Sequence, residues 1–101
     1  MIYRFSFWFE HGGGSIWPED DATEQKYGYP ASYEKLPLSK EVIEMINTLE
    51  VEYHSCLDWN CPQNPSPWTE EHWKDFRKRA KQVYDILVIE LGEEYQIEYK
   101  V

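Results

Sequence analysis

The chain opens on an alternation. In "IYRFSFWF" the residues Tyr3, Phe5, Phe7 and Phe9 point one way and Ile2, Arg4, Ser6 and Trp8 the other, the period of a half-buried strand. "HGGGSIW" follows, and its consecutive glycines Gly12 to Gly14 are free to take positive φ, which predicts a hairpin into a short strand around Ser15 to Trp17, ended by Pro18. Residues 18 to 38 hold no sustained period and are punctuated by proline and glycine, so they predict a long loop ordered by Tyr27, Tyr29 and Tyr33 folding back on the body.

Two helical patterns come next. Ser39 can cap a helix over about 39 to 57 whose apolar positions Val42, Ile46, Leu49 and Tyr53 recur at helical steps. Thr69 can cap a second, with Glu70 and Glu71 in its first turn, where carboxylates favour the helix dipole. Its inward stripe is Trp73, Phe76, Ala80, Val83, Tyr84, Leu87 and Leu91, and Gly92 is the expected stop. Trp68 and Trp73 stand at the spacing of a hydrophobic staple across that cap. The last segment, "EYQIEYKV", alternates strictly and reads as a strand with Tyr95, Ile97, Tyr99 and Val101 on one face.

The order β-β-α-α-β, with both long strands apolar on one face only, predicts an α+β two-layer sandwich: a small, mainly antiparallel sheet with two helices packed on one side and water on the other. A chain of 101 residues holds a single domain with one core. Aromatic residues make up 17% of it, with five Trp and eight Tyr, which excludes a disordered chain. No apolar run is long enough to span a membrane and the start lacks the pattern of a signal peptide, so the expected compartment is the cytoplasm.

The net charge of −9 argues against nucleic acid or an anionic membrane as partner, because phosphate binding needs clustered positive charge. The exception is "KDFRKRAK", where Lys74, Arg77, Lys78, Arg79 and Lys81 face only Asp75. Such a run is ordinarily a solvated helix face.

Motifs for chemistry are sparse. His54, Cys56, Cys61 and His72 form H-x-C-x4-C-x10-H, which lacks the paired-cysteine knuckle of a zinc site, and no metal or other cofactor is expected. The glycine run has no lysine in the phosphate-loop position. An enzyme reading would place a cleft between the glycine turn and the helix hairpin, with His11, His54 and Asp58 as candidates. Binding has more support. With Phe5, Phe7 and Phe9 turned to the helices, Trp8 and Trp17 belong to the opposite face of the sheet. There they are either exposed anchors or the start of a minor second core under the 18 to 38 loop. Beside them run Glu19, Asp20, Asp21 and Glu24, then Tyr27 and Tyr29, while Asp58 and Trp59 stand in the loop between the helices. Aromatic anchors rimmed by carboxylates suit the capture of a basic protein.

The stretches "FWFEHGGGSIWPEDDATEQKYGYP" and "LDWNCPQNPSPW" give the chain a layout that resembles the small, acidic, tryptophan-rich immunity proteins of bacterial polymorphic-toxin and contact-dependent inhibition systems. The resemblance implies a cytoplasmic, non-enzymatic inhibitor that binds one toxin, often a basic nuclease. These proteins use many unrelated folds, so it assigns no residue a role. Pairing of an open sheet edge is a route to self-association, so the expected state is a monomer or weak homodimer.

Overall fold

The computed structural model describes residues 2–11 and 13–101. Its elements are β1 (Tyr3–Phe7), β2 (Ile16–Pro18), α1 (Asp21–Tyr27), a 3-10 turn (Tyr33–Lys35), α2 (Lys40–His54), α3 (Glu70–Leu91) and β3 (Tyr95–Tyr99). The α+β class and the two long helices are as the patterns predict. Ser39 accepts from the Val42 N–H and Thr69 from the His72 N–H, and Gly92 ends α3 at φ 82°.

The sheet has the order β2-β1-β3, with β1 antiparallel to β2 and parallel to β3. It is therefore mixed rather than mainly antiparallel, and the reason is the number of passes. The chain goes up in β1, down in β2, up in α2 and down in α3, so β3 must rise beside β1. Ser39 at the start of α2 bonds Glu90 near the end of α3, at 2.7 and 2.8 Å, which closes the antiparallel helix pair.

The core lies between β1 and the α2–α3 pair. Phe5, Phe7, Ile46, Phe76, Ala80 and Leu87 are buried there, and each large apolar side chain contributes roughly 1.5–3 kcal/mol by leaving water. At one end Phe76 meets Phe9, Tyr53 and Trp68, with ring centroids 5.2, 5.9 and 5.1 Å away. Trp68 and Trp73 pack at 4.6 Å across the α3 cap, as the staple requires. Cys56 is buried and Cys61 half-buried, both as free thiols.

The segment expected as a loop over 18 to 38 contains α1. Asp20 caps it by accepting from the Thr23 N–H at 2.8 Å, and Gly28 closes it in the left-handed region at φ 90°. The Thr23 hydroxyl then accepts the Arg4 N–H, taking over where β2 leaves the β1 ladder. Pro18 is the last residue of β2 rather than a stop beyond it. Gly12 lies outside the described residues. Gly13 and Gly14 do not use the positive φ that the sequence allows. Gly14 is required for space instead, since a Cβ there would sit 2.9 Å from Pro30; one at Gly13 would make a tight contact, 3.2 Å from the Trp17 ring. The turn is pinned from below by Ser15 and Tyr33, whose hydroxyls both donate to Glu50 at 2.6 Å.

An ion network ties the helices together. Arg79 donates to both oxygens of Glu52, at 2.6 and 2.5 Å, and to Asp75 at 2.8 Å, while His72 lies 3.0 Å from Glu52. The Arg79 guanidinium holds the Glu52 carboxyl below the usual carboxylate range. A carboxylate lowered on folding adds stability that is complete above its unfolded pKa, near 4.3, and is lost as the pH falls through the folded value. The melting temperature should therefore fall as the solution is acidified below about pH 4.5. In Glu52→Gln that fall should be shallower but not abolished, because Asp20 and Asp58 are also lowered. Equal slopes in the two proteins would contradict this role for Glu52.

Candidate functional site

The face of the sheet turned away from α2 and α3 carries Arg4, Ser6 and Trp8 from β1 and the residue after it, with Trp17 and Glu19 on one side and Gln96, Glu98 and Lys100 on the other. Lys100 reaches across to Glu19 at 3.0 Å, so an ion pair joins the two outer strands over Ser6, which is only 2% exposed. A shallow depression of about 610 Å³ along this side includes Arg4, Glu19, Asp20, Gln96 and Glu98 in its lining.

Of the two alternatives for the tryptophans, burial is the outcome for Trp17 alone. Trp17 is 5% exposed: it stacks on Trp8 with centroids 4.4 Å apart, donates its indole N–H to the Trp8 carbonyl at 3.1 Å, and meets the edge of Tyr29 at 5.0 Å. Trp8 stays half-buried and Tyr29 exposed. Exposure thus fails for Trp17 because its neighbours on the same face are long enough to close over it. Tyr27 is also in the interior, 2% exposed, with its ring against Tyr3 and Phe5 and its hydroxyl on that of Tyr95 at 2.8 Å.

The carboxylates divide by task. Asp20 is spent on the α1 cap, and the Thr23 bonds draw its carboxyl below the usual range. Asp21 and Glu24 are exposed on α1, and Glu19 is exposed in its pair with Lys100. The register places Trp17 and Glu19 beside Trp8 on the outer face and Tyr29 meets Trp17 there, while Asp20, Asp21 and Glu24 are exposed at and along α1, whose buried Tyr27 packs on the inner-face rings Tyr3 and Phe5. Asp58 and Trp59 do not join them. The Asp58 carboxylate is turned into its own loop, accepting from the side chain of Asn64 at 3.1 Å and from the N–H groups of Cys61 and Asn60, which lower its pKa. Trp59 is half exposed past the end of α2, stacked on His54 at 4.2 Å with its N–H on the His54 carbonyl.

The enzyme candidates are placed but not assembled. His11 packs on Tyr53 at 4.9 Å and meets the Trp59 ring edge-on at 5.5 Å, and its ring centroid is 6.2 Å from that of His54. Among the described residues no hydrogen bond links His11, His54 and Asp58, and no group of three or more His, Cys, Asp or Glu could hold a metal ion. His11 Nε2 lies 3.8 Å from the Cys56 sulfur, yet burial pushes that thiol upward, away from the thiolate needed for attack. Iodoacetamide should accordingly modify Cys61 in the native protein well before Cys56, followed by mass spectrometry of the intact chain and its peptides. Equal rates at the two positions would contradict the burial of Cys56.

One comparison decides the family. The model for Serratia CdiI immunity protein-like proteins matches residues 8–101. The chain belongs to that family. A comparison with the curated proteins gave no match. The matched region takes in β2, all three helices, β3 and every residue of the outer face from Trp8 onward, so the family assignment and the candidate surface concern the same part of the chain. Among the described residues no helix is long and apolar enough to cross a membrane.

Proposed function

We propose that the chain neutralises a cognate bacterial toxin inside the cell by binding it, without doing chemistry on it, and that the outer side of the sheet with α1 is the binding surface. Membership of the immunity family is the observation that carries the reading. Support for the surface comes from its architecture: α2 and α3 lie on the other face of the sheet, half-buried Trp8 and exposed Tyr29 rest on buried Trp17, Glu19 stands exposed on the same face, and Asp21 and Glu24 are exposed on neighbouring α1. Trp17 and Tyr27 then act as supports and Asp20 as the cap that positions α1. A net charge of −9 speeds the approach of a basic partner, and the rings supply contact area at low entropic cost. Trp59 is a separate exposed ring beyond the end of α2, available to a partner that extends that far.

The test is affinity capture of the tagged chain from its host at low and high salt, followed by expression of the captured protein in cells with and without the chain. The expected result is one stoichiometric basic protein, held more strongly at low salt, that arrests growth alone and not in the chain's presence. A captured protein that is harmless alone, or no partner at either salt, would overturn the proposal.

A further inference from the structure

A second surface has the opposite charge. Lys74, Arg77, Lys78 and Lys81 recur on α3 at steps of three and four residues, which gathers them into one stripe. Lys81 lies over the rings of Tyr84 and Tyr99, at 4.5 and 5.3 Å, so the stripe follows the seam between α3 and β3. Lys81 is paired with Asp85 at 3.1 Å, whereas among the described residues no carboxylate lies within ion-pair distance of Lys74, Arg77 or Lys78. Arg79 points elsewhere, into the Glu52 network.

At the start of the stripe a groove of about 400 Å³ opens between the end of the sheet and the first turns of α3. Trp8, Tyr53, Trp73 and Phe76 give it an apolar lining, and Arg77 and Lys100 bring positive charge to it. The Arg77 guanidinium is 5.7 Å from the Trp73 ring centroid, and Lys100 is already held by Glu19. Among the described residues Arg77 is therefore a cation without an ion-pair partner, beside a ring-sized apolar space that Val101 also lines.

We propose that this groove and the adjoining stripe bind an acidic, aromatic segment of a partner protein, with a ring seated between Trp8 and Trp73 and carboxylates on Arg77 and on Lys74 or Lys78. The charges select the occupant. A basic segment would meet Arg77 and Lys100 at the groove. An acidic one is repelled by a chain of net charge −9 and attracted where Lys74, Arg77 and Lys78 stand together, so the same charges that admit it also bias where it lies. Nucleic acid suits the surface less well, because phosphate binding draws on a broad positive field and this stripe is narrow on an acidic body. The inference rests on the reading of the chain as a protein-binding inhibitor only in taking the ligand to be a protein.

The test needs no toxin. The full chain, labelled with nitrogen-15, is titrated with three blocked pentapeptides: a central phenylalanine flanked by aspartates, the same with lysines, and the aspartate peptide with a central alanine. The expected result is saturable shifts of the Trp8, Trp73 and Arg77 signals with the acidic aromatic peptide, at least about tenfold weaker binding of the alanine form, and none of these shifts with the lysine form. Arg77→Glu should weaken the acidic peptide by about tenfold or more with unchanged thermal unfolding, since the side chain is exposed against the Trp73 ring and has no ion-pair partner among the described residues. No shift at about 1 mM peptide, or equal shifts with the lysine form, would overturn the proposal. So would displacement of the peptide by an equal concentration of single-stranded oligonucleotide. If cellular capture yields no toxin but the peptide binds as described, the neutralisation reading falls and this site stands.

Discussion

Phe76→Ala should cost about 3–5 kcal/mol of folding stability, a fifth or more of the roughly 5–15 kcal/mol typical of a domain. Phe76 is fully buried and its ring touches Phe9 after β1, Tyr53 on α2 and Trp68 in the loop before α3. One side chain thus joins the sheet, both long helices and the connection between them. Truncation therefore leaves a cavity among three other rings. Urea unfolding followed by tryptophan fluorescence measures the change. A loss below about 1 kcal/mol with an unchanged denaturant slope would mean that this junction is not what holds the layers together. The same substitution removes part of the groove lining, so a stability control must accompany any binding measured on it.

The second large effect concerns association. Reversing Asp21 and Glu24 together to lysine should slow capture of a basic partner by about 10- to 100-fold at low salt, with a much smaller change in the rate of release. Both residues are exposed on α1, and the cap bond from Asp20 to Thr23 remains, so the helix keeps its main local support. Losing two carboxylates from the first turn costs a few tenths of a kcal/mol to about 1 kcal/mol each, too little to unfold the chain. The diagnostic is salt: at high ionic strength the association rates of the wild type and the variant should converge, since exposed charges are screened beyond about 8–10 Å. A deficit that persists at high salt would point to a contact role for α1 rather than steering.

Much of the architecture is legible in the chain because its signals are local. Ser39, Thr69 and Gly92 mark helix ends by hydrogen bonding and φ, and each does so in the fold. The alternation of Tyr3 to Phe9 and of Tyr95 to Val101 sets the buried face. The direction of β3 was also available, since four antiparallel passes leave no other choice once the helices form a hairpin. α1 escaped the pattern because it is short, bounded by Pro18 and Gly28, and buries only Thr23 and Tyr27, one pair at i and i+4. The role of Asp20 as its cap follows from the same omission, as an acidic cluster in an expected loop reads as solvated charge.

The site was legible in part. Alternation put Trp8 and Trp17 on the outer face, but their mutual stacking depends on the hairpin register of Ser6 with Trp17 and on Tyr29 returning from α1, which are long-range. Trp59 and Asp58 stand in sequence beside the proline-rich connection, and only the antiparallel run of α2 carries them past the end of the strands, away from α1. The groove could not be read at all. Its parts, Trp8, Tyr53, Trp73, Arg77 and Lys100, come from four elements, and the basic run that contributes Arg77 splits between two faces of α3, with Arg79 committed to Glu52 and Arg77 left free.

The measurement that bears most directly on neutralisation through the outer face is growth of cells in which the captured partner is induced together with either the wild-type chain or a variant combining Trp8→Ala, Asp21→Lys and Glu24→Lys, both confirmed to be folded and equally abundant. Growth is expected with the wild type and arrest with the variant. Equal protection by the two would contradict the outer face as the surface that neutralises the toxin.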